Sequence, residues 1–272
     1  MNRGFLPLAA MVAVVALCGW IIGGLAGIAL AAVLMLVLAV TMPRLSPHAA
    51  MRLHGAVPVH PTLAPAVYRE LARLARRARL PRLPQLYRLP SPAPAAFAVG
   101  DPDGAAVAVS DGLVRLLDGR ELSGVLAHEV AHIAAGDLAF SRLGDVLQRA
   151  TAMVCMLGLL SALLLMAVVP GLEMPLLAVW TLALAPSAIG LLRLALSRSR
   201  EFAADAAAAE LTGDPAGLAR ALHKLDLAER WTLRHLFGRM AGLEQPSCLR
   251  THPATRDRIA RLLQGGGAGR AA

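Results

Sequence analysis

Two long apolar runs organise the chain. No charged residue occurs from Phe5 to Met42, and Glu173 alone interrupts the apolar run from Ala150 to Leu192. At about 1.5 Å per helical residue the first run is roughly twice as long as a bilayer core is thick. Gly19, Gly23, Gly24 and Gly27 punctuate its middle, where reversing the backbone is easiest. The pattern therefore predicts two short spans, Leu6–Ile22 and Leu25–Met42. A cleaved signal peptide fits poorly, because the apolar stretch continues far past the length of such a segment. The second run carries Pro170-Gly171-Leu172-Glu173-Met174-Pro175, a turn composition. It predicts spans over Ala150–Val169 and Met174–Leu192, with Pro186 as a kink.

Polar sequence fills 43–94, 95–149 and 197–272. After Pro61, Thr62 is placed to cap a helix reaching about Leu80, with Leu63, Val67, Leu71 and Leu74 at helical spacing. Arg69, Arg73, Arg76, Arg77 and Arg79 lie on its other face, as a solvated surface or a contact for anionic headgroups. The proline-rich stretch from Pro81 to Pro94 excludes one regular helix. Ala95–Val99 and Ala105–Ser110 read as short strands joined through residues 100–104. Asp118 followed by Glu121 is a capping-box signature, and Gly136 is a stop, so a helix is expected between them.

Composition supports the membrane reading. The chain is 57% hydrophobic but only 4% aromatic, against about 45–50% apolar for soluble domains. The net charge of +9 comes largely from arginines flanking the apolar runs, and no nucleic-acid reader motif is present, so nucleic-acid binding is not expected. Arg3, Arg44, Arg52, Arg142, Arg149, Arg193, Arg198 and Arg200 all fall outside the intervening turns. By the positive-inside rule every polar segment and both termini then face the cytoplasm. Three cysteines, none in a CxxC pair, argue against a disulfide framework. The expected fold is mainly α and integral to the membrane, with four transmembrane helices and an α+β domain holding a small β-sheet. Its segments are a hairpin over 1–45, a first domain part over 46–149, a second hairpin over 150–196 and a second domain part over 197–272.

The chemistry lies in His128-Glu129-Val130-Ala131-His132, an HExxH pattern on the capped helix. Histidines at i and i+4 share one helix face and can reach one tetrahedral ion. Glu129, beside the first of them, is placed to take a proton from an attacking water. Beyond the second apolar run, Glu201 and Asp205 are again i and i+4. Two imidazoles and one carboxylate form a catalytic zinc set with an open position. The expected ligands of one zinc ion per subunit are therefore His128, His132 and Glu201, with Asp205 orienting a ligand imidazole.

The order HEVAH, apolar hairpin, SRSREFAAD and Thr251-His252-Pro253-Ala254-Thr255-Arg256-Asp257-Arg258-Ile259 resembles the HtpX-type membrane metalloproteases, relatives of the CAAX prenyl endopeptidases. The resemblance covers nearly the whole chain. It implies a gluzincin-type site facing the cytoplasm of a bacterial inner membrane, with misfolded or damaged membrane proteins as substrates. It maps the ligands to His128, His132 and Glu201 and the base to Glu129. His252 and Arg258 are candidates for oxyanion or substrate contacts, and His252 equally suits a helix cap beside Pro253. A polypeptide substrate would lie extended along Ala95–Val99, touching Ala95 and Phe97, or along Ala105–Ser110. Where the family has Asn-Ala-Phe-Ala this chain has Ala95-Ala96-Phe97-Ala98, which removes one polar side chain near the substrate strand.

Two other readings compete. An intramembrane protease would bury HEVAH in the bilayer, but Arg120, Glu121 and Asp137 make that segment too polar to span. A non-enzymatic membrane adaptor with a structural zinc would need a fourth protein ligand, for which His223 and His235 are the nearest candidates.

Overall fold

The computed structural model describes residues 5–41, 46–171, 173–237 and 254–268. In chain order the elements are α1 (Phe5–Thr41), α2 (Pro47–Leu53), β1 (Val57–Pro58), α3 (Pro65–Arg77), β2 (Gln85–Leu89), β3 (Ala96–Asp101) and β4 (Gly104–Ser110). There follow α4 (Asp111–Leu116), α5 (Gly119–Ala134), α6 (Asp137–Val168), α7 (Leu176–Thr212), α8 (Pro215–Phe237) and α9 (Thr255–Ala268). They form two compact units, one drawn from residues up to 43 and from 140–199, the other from 44–139 and from 200 onward.

The first unit holds the apolar runs. Three helices, within α1, α6 and α7, are long and apolar enough to cross a membrane. Their surfaces show why: Leu25, Leu30, Leu36, Leu160, Leu163, Leu164, Leu176 and Leu177 are all exposed. Apolar area of that extent is costly against water and neutral against lipid. α1 is not one straight rod. Gly23 and Gly24 leave helical geometry, with Gly24 at φ 57° and ψ −135°. A Cβ placed on Gly19 would lie 2.8 Å from the carbonyl oxygen of Gly27. In a straight helix, residues eight apart stand about 12 Å from one another, so the two halves of α1 fold back together at the glycines. Met11, Val15, Cys18 and Ala31 of α1 pack with Leu147, Cys155, Leu182 and Ile189. Arg193 on α7 pairs with Asp145 at 2.5 Å and donates to Gln148 Oε1 at 2.9 Å on α6.

The second unit is a four-stranded sheet, order β1-β2-β4-β3, covered by helices. β2 and β4 are parallel, and the other neighbours are antiparallel. Strand alternation divides the core. Leu86, Val107 and Val109 join Leu71 and Leu74 of α3 and Leu126, Val130 and Ile133 of α5. Tyr87, Ala106 and Ala108 turn the other way, to Met51 of α2. The β3–β4 hairpin forms where the sequence places it, with Gly104 N–H on Asp101 Oδ1 at 3.0 Å closing the turn.

Two expectations change. The helix expected from Thr62 to Leu80 is shorter. Pro65 forces Ala64 out of helical geometry and takes the first helical position itself, so no side chain caps α3. At its other end Arg79 adopts φ 55° and Leu80 N–H turns back to Ala75 O at 3.0 Å, a left-handed stop. The proline-rich stretch also contains a strand, β2, that the sequence reading leaves out.

Candidate functional site

α5 begins and ends as its sequence dictates. Asp118 accepts from the N–H groups of Arg120 and Glu121, and Glu121 reaches back to the Asp118 N–H at 2.9 Å. Lys224 of α8 then donates to the buried Glu121 carboxylate at 2.7 Å. Gly136, at φ 67°, ends the helix. With Leu126, Val130 and Ile133 committed to the core, His128 and His132 emerge on another face.

There they meet α7. His128 Nε2 and His132 Nε2 stand 3.1 Å apart, and the Glu201 carboxylate lies 3.6 Å from the first and 3.5 Å from the second. Among the described residues these three form the group able to hold one metal ion. The spacing fits a metal. Ligands about 2.0–2.1 Å from a tetrahedral ion lie roughly 3.3 Å from each other. Two imidazoles and a carboxylate are also the donor set of hydrolytic zinc.

Acids stand beside the outer nitrogens of both rings, hydrogen-bonded to His132 and at ion-pair distance from His128. Asp205 Oδ1 stands 3.0 Å from His128 Nδ1, and Asp137 Oδ2 lies 2.6 Å from His132 Nδ1. Either contact leaves Nε2 as the nitrogen facing the cluster. Arg258 of α9 grips Asp205 with two bonds of 2.7 Å and approaches Glu201 Oε2 to 3.3 Å. Arg200 donates to the Asp137 carbonyl at 2.7 Å and stands 3.4 Å from its carboxylate.

The electrostatics suit a cation. Burial disfavours the imidazolium at His128, yet Asp205, Glu201 and Glu129 outweigh it and the pKa is raised. At His132 burial is again outweighed, by Asp137 and Glu201, and without a bound cation its pKa is pushed up to about 10. Burial alone would raise the Asp205 carboxyl, but Arg258 and His128 hold it below the usual range. Glu129 follows His128 on α5 and is half-buried.

Of the residues singled out in the sequence, His128, Glu129, His132, Glu201, Asp205 and Arg258 converge here. Arg258, a candidate for oxyanion or substrate contacts, has its guanidinium on Asp205 and Glu201. Phe97 lies in β3, with Ala95 just before it, and β3 is the edge strand beside α5. β4 is paired on both sides, which closes the alternative of substrate pairing along Ala105–Ser110. His252 lies outside the described residues. His223 is exposed, the His235 side chain lies outside the described ones, and no fourth ligand joins the cluster among the described residues. Asp137 and Arg200 were missed as site residues. The available signal was an acid directly after the helix-stopping Gly136, on the turn that follows His132.

The sequence model of Peptidase family M48 matches residues 61–265. A Protease HtpX homolog of Acaryochloris marina is 39% identical over 226 residues, covering 79% of this chain and 77% of the relative. A Protease HtpX homolog of Ralstonia pickettii is 35% identical over 286 residues, covering 96% of this chain and 95% of the relative. Among solved structures, S. mikatae Ste24p is similar in fold, with a TM-score of 0.50 at 18% identity. That likeness covers 95% of this chain, which spans 63% of the Ste24p chain.

Proposed function

The chain belongs to peptidase family M48 and is a membrane metalloprotease; from that premise we propose that it is a zinc endopeptidase acting on misfolded or damaged membrane proteins. The observation that carries this reading is the convergence of His128 Nε2, His132 Nε2 and Glu201 within 3.1–3.6 Å, with Glu129 adjoining on α5. A zinc ion held there supplies a Lewis acid that activates water and offsets charge developing on the carbonyl oxygen. Glu129 takes the proton of the attacking water and later delivers it to the leaving amine. Asp205 and Asp137 keep both imidazoles turned so that Nε2 faces the cluster.

The free edge of β3 beside α5 offers main-chain hydrogen bonds to an extended polypeptide. Pairing of that kind reads backbone rather than sequence, which suits damaged proteins as a class. Phe97 and Ala95 border the path, and the alanine supplies no polar contact. Arginines flanking the apolar helices support a bacterial inner-membrane location with the protease unit and both termini in the cytoplasm. The break in α1 supports four spans rather than three.

Glu129→Gln tests the reading. The variant, purified in detergent, should keep its zinc on metal analysis and lose cleavage of an unfolded protein such as casein. Normal turnover in that variant would remove the base, and loss of metal would make Glu129 a ligand.

A further inference from the structure

Each ligand histidine has an acid beside its outer nitrogen, and each of those acids meets an arginine. His128 Nδ1 stands 3.0 Å from Asp205, whose carboxylate Arg258 grips, while His132 Nδ1 bonds Asp137, whose main-chain carbonyl accepts from Arg200 with the carboxylate 3.4 Å away. Resting on the zinc reading above, we infer that Arg258 and Arg200 are positioning residues that brace the metal site, Arg258 by fixing the Asp205 carboxylate and Arg200 by fixing the turn that carries Asp137.

Chemistry requires something in their place. A ring that gives one nitrogen to a metal is free to turn unless its other nitrogen is held. Asp205 is buried, at 3% exposure, and a buried carboxylate needs compensating charge; Asp137 is half-buried. Arg258 meets that need in fork geometry, with Nε on Oδ2 and Nη2 on Oδ1, both at 2.7 Å. A lysine has one point of charge and cannot make that pair of bonds. The remaining nitrogen, Nη1, stands 3.3 Å from Glu201 Oε2, so one guanidinium fixes the acid behind His128 and the third ligand together. Arg200 adjoins Glu201 in sequence and reaches across to Asp137, which opens α6. Glu201, Asp205 and Asp137 thus lie against two guanidinium groups.

Arg258 also makes the site depend on α9, which enters beyond the HExxH and Glu201 helices. α9 is seated beside Glu201 a second time, by Arg261 over the Phe202 ring at 3.7 Å. A surface arginine held for substrate would leave nitrogens open, whereas Arg258 is 9% exposed and all three of its nitrogens face acids.

The test uses the full chain in detergent with Arg258→Ala, Arg258→Lys, Arg200→Gln and Asp137→Asn. Zinc affinity is measured by chelator competition, the ligand field by the visible spectrum of the cobalt-substituted protein, and kcat and KM on an unstructured peptide. Arg258→Ala and Asp137→Asn should each weaken zinc by about 10–100-fold. Both should shift the cobalt bands and lower kcat with KM little changed, and Arg200→Gln should act in the same direction. Methylguanidinium should restore part of the affinity of Arg258→Ala, and lysine should restore little. Rescue separates bracing from general unfolding, because a collapsed domain does not regain its spectrum on adding a small cation. A raised KM with unaltered zinc affinity and cobalt spectrum would overturn the inference and return Arg258 to substrate contact. Full zinc occupancy in His128→Ala would instead overturn the underlying metal assignment, whatever the arginine variants do.

Discussion

At the residue scale, the i, i+4 repeat decides who shares the cluster. Glu201 and Asp205 sit one above the other on α7, but their carboxylates reach different atoms. Glu201 faces both Nε2 nitrogens, and Asp205 faces the outer nitrogen of His128. Their substitutions should therefore separate. Glu201→Ala should abolish stoichiometric zinc, because it removes one of three donors. Asp205→Ala should weaken zinc by about 10–100-fold while leaving a bindable site. Metal titration of the two purified variants checks this, and full occupancy in Glu201→Ala would require another third ligand. His128, His132, Glu201 and Asp205 were legible in the sequence because helix geometry converts spacing into direction. Asp137 was not, because it lies past Gly136 in the next helix, and no helical repeat links it to His132. Arg258 was visible as a residue of interest but not as a partner of Asp205, since no local rule spans the 53 positions between them.

At the scale of elements, close approach is what fixes the helices. α5 and α8 meet at Gly124, where an added Cβ would lie 2.9 Å from the Leu218 Cα. Backbone cannot yield there as a side chain tip can, so Gly124→Ala should force the helices apart. The expected loss is about 1–3 kcal/mol, seen as a lower midpoint of thermal unfolding and faster proteolysis; an unchanged midpoint would show that α5 and α8 do not meet closely at Gly124. The halves of α1 make a similar demand, with Gly27 against the Gly19 carbonyl and Gly24 at a positive φ. Gly27→Val should destabilise the chain in detergent far more than Leu25→Ala, a change at an exposed position. Equal, small effects would show that α1 does not fold back. The capping box and stop of α5, the β3–β4 hairpin and the glycine break were each readable because one short stretch carries its own cause. β2 was not. Its five residues lie between Pro84 and Pro90, and its strand state comes from parallel pairing with β4, a contact absent from local sequence. Thr62 suits a cap by its side chain alone, but Pro65, three residues on, sets the first helical position of α3.

At the scale of the whole molecule, the metal cluster constrains the path of the chain through a membrane. His132 ends one side of the second apolar run and Glu201 begins the other, yet their side chains approach to 3.5 Å. The run between them must return to the side it left, so it crosses twice or enters without crossing. Reporter fusions after Ser141 and after Ser199 should both report the cytoplasm, and one within Pro170–Pro175 should report the far side if α6 and α7 both span. The same reasoning applied to α1 gives a second even passage: with the chain reversing at Gly23 and Gly24, a tag at the N-terminus should lie on the same side as Ser46. A far-side N-terminus would make α1 a single span, and the fold would then have three crossings with the cluster still intact. A far-side signal after Ser199, with Ser141 cytoplasmic, has a heavier consequence. It places Glu201 across a bilayer from His128 and His132, and no ion can then bridge them.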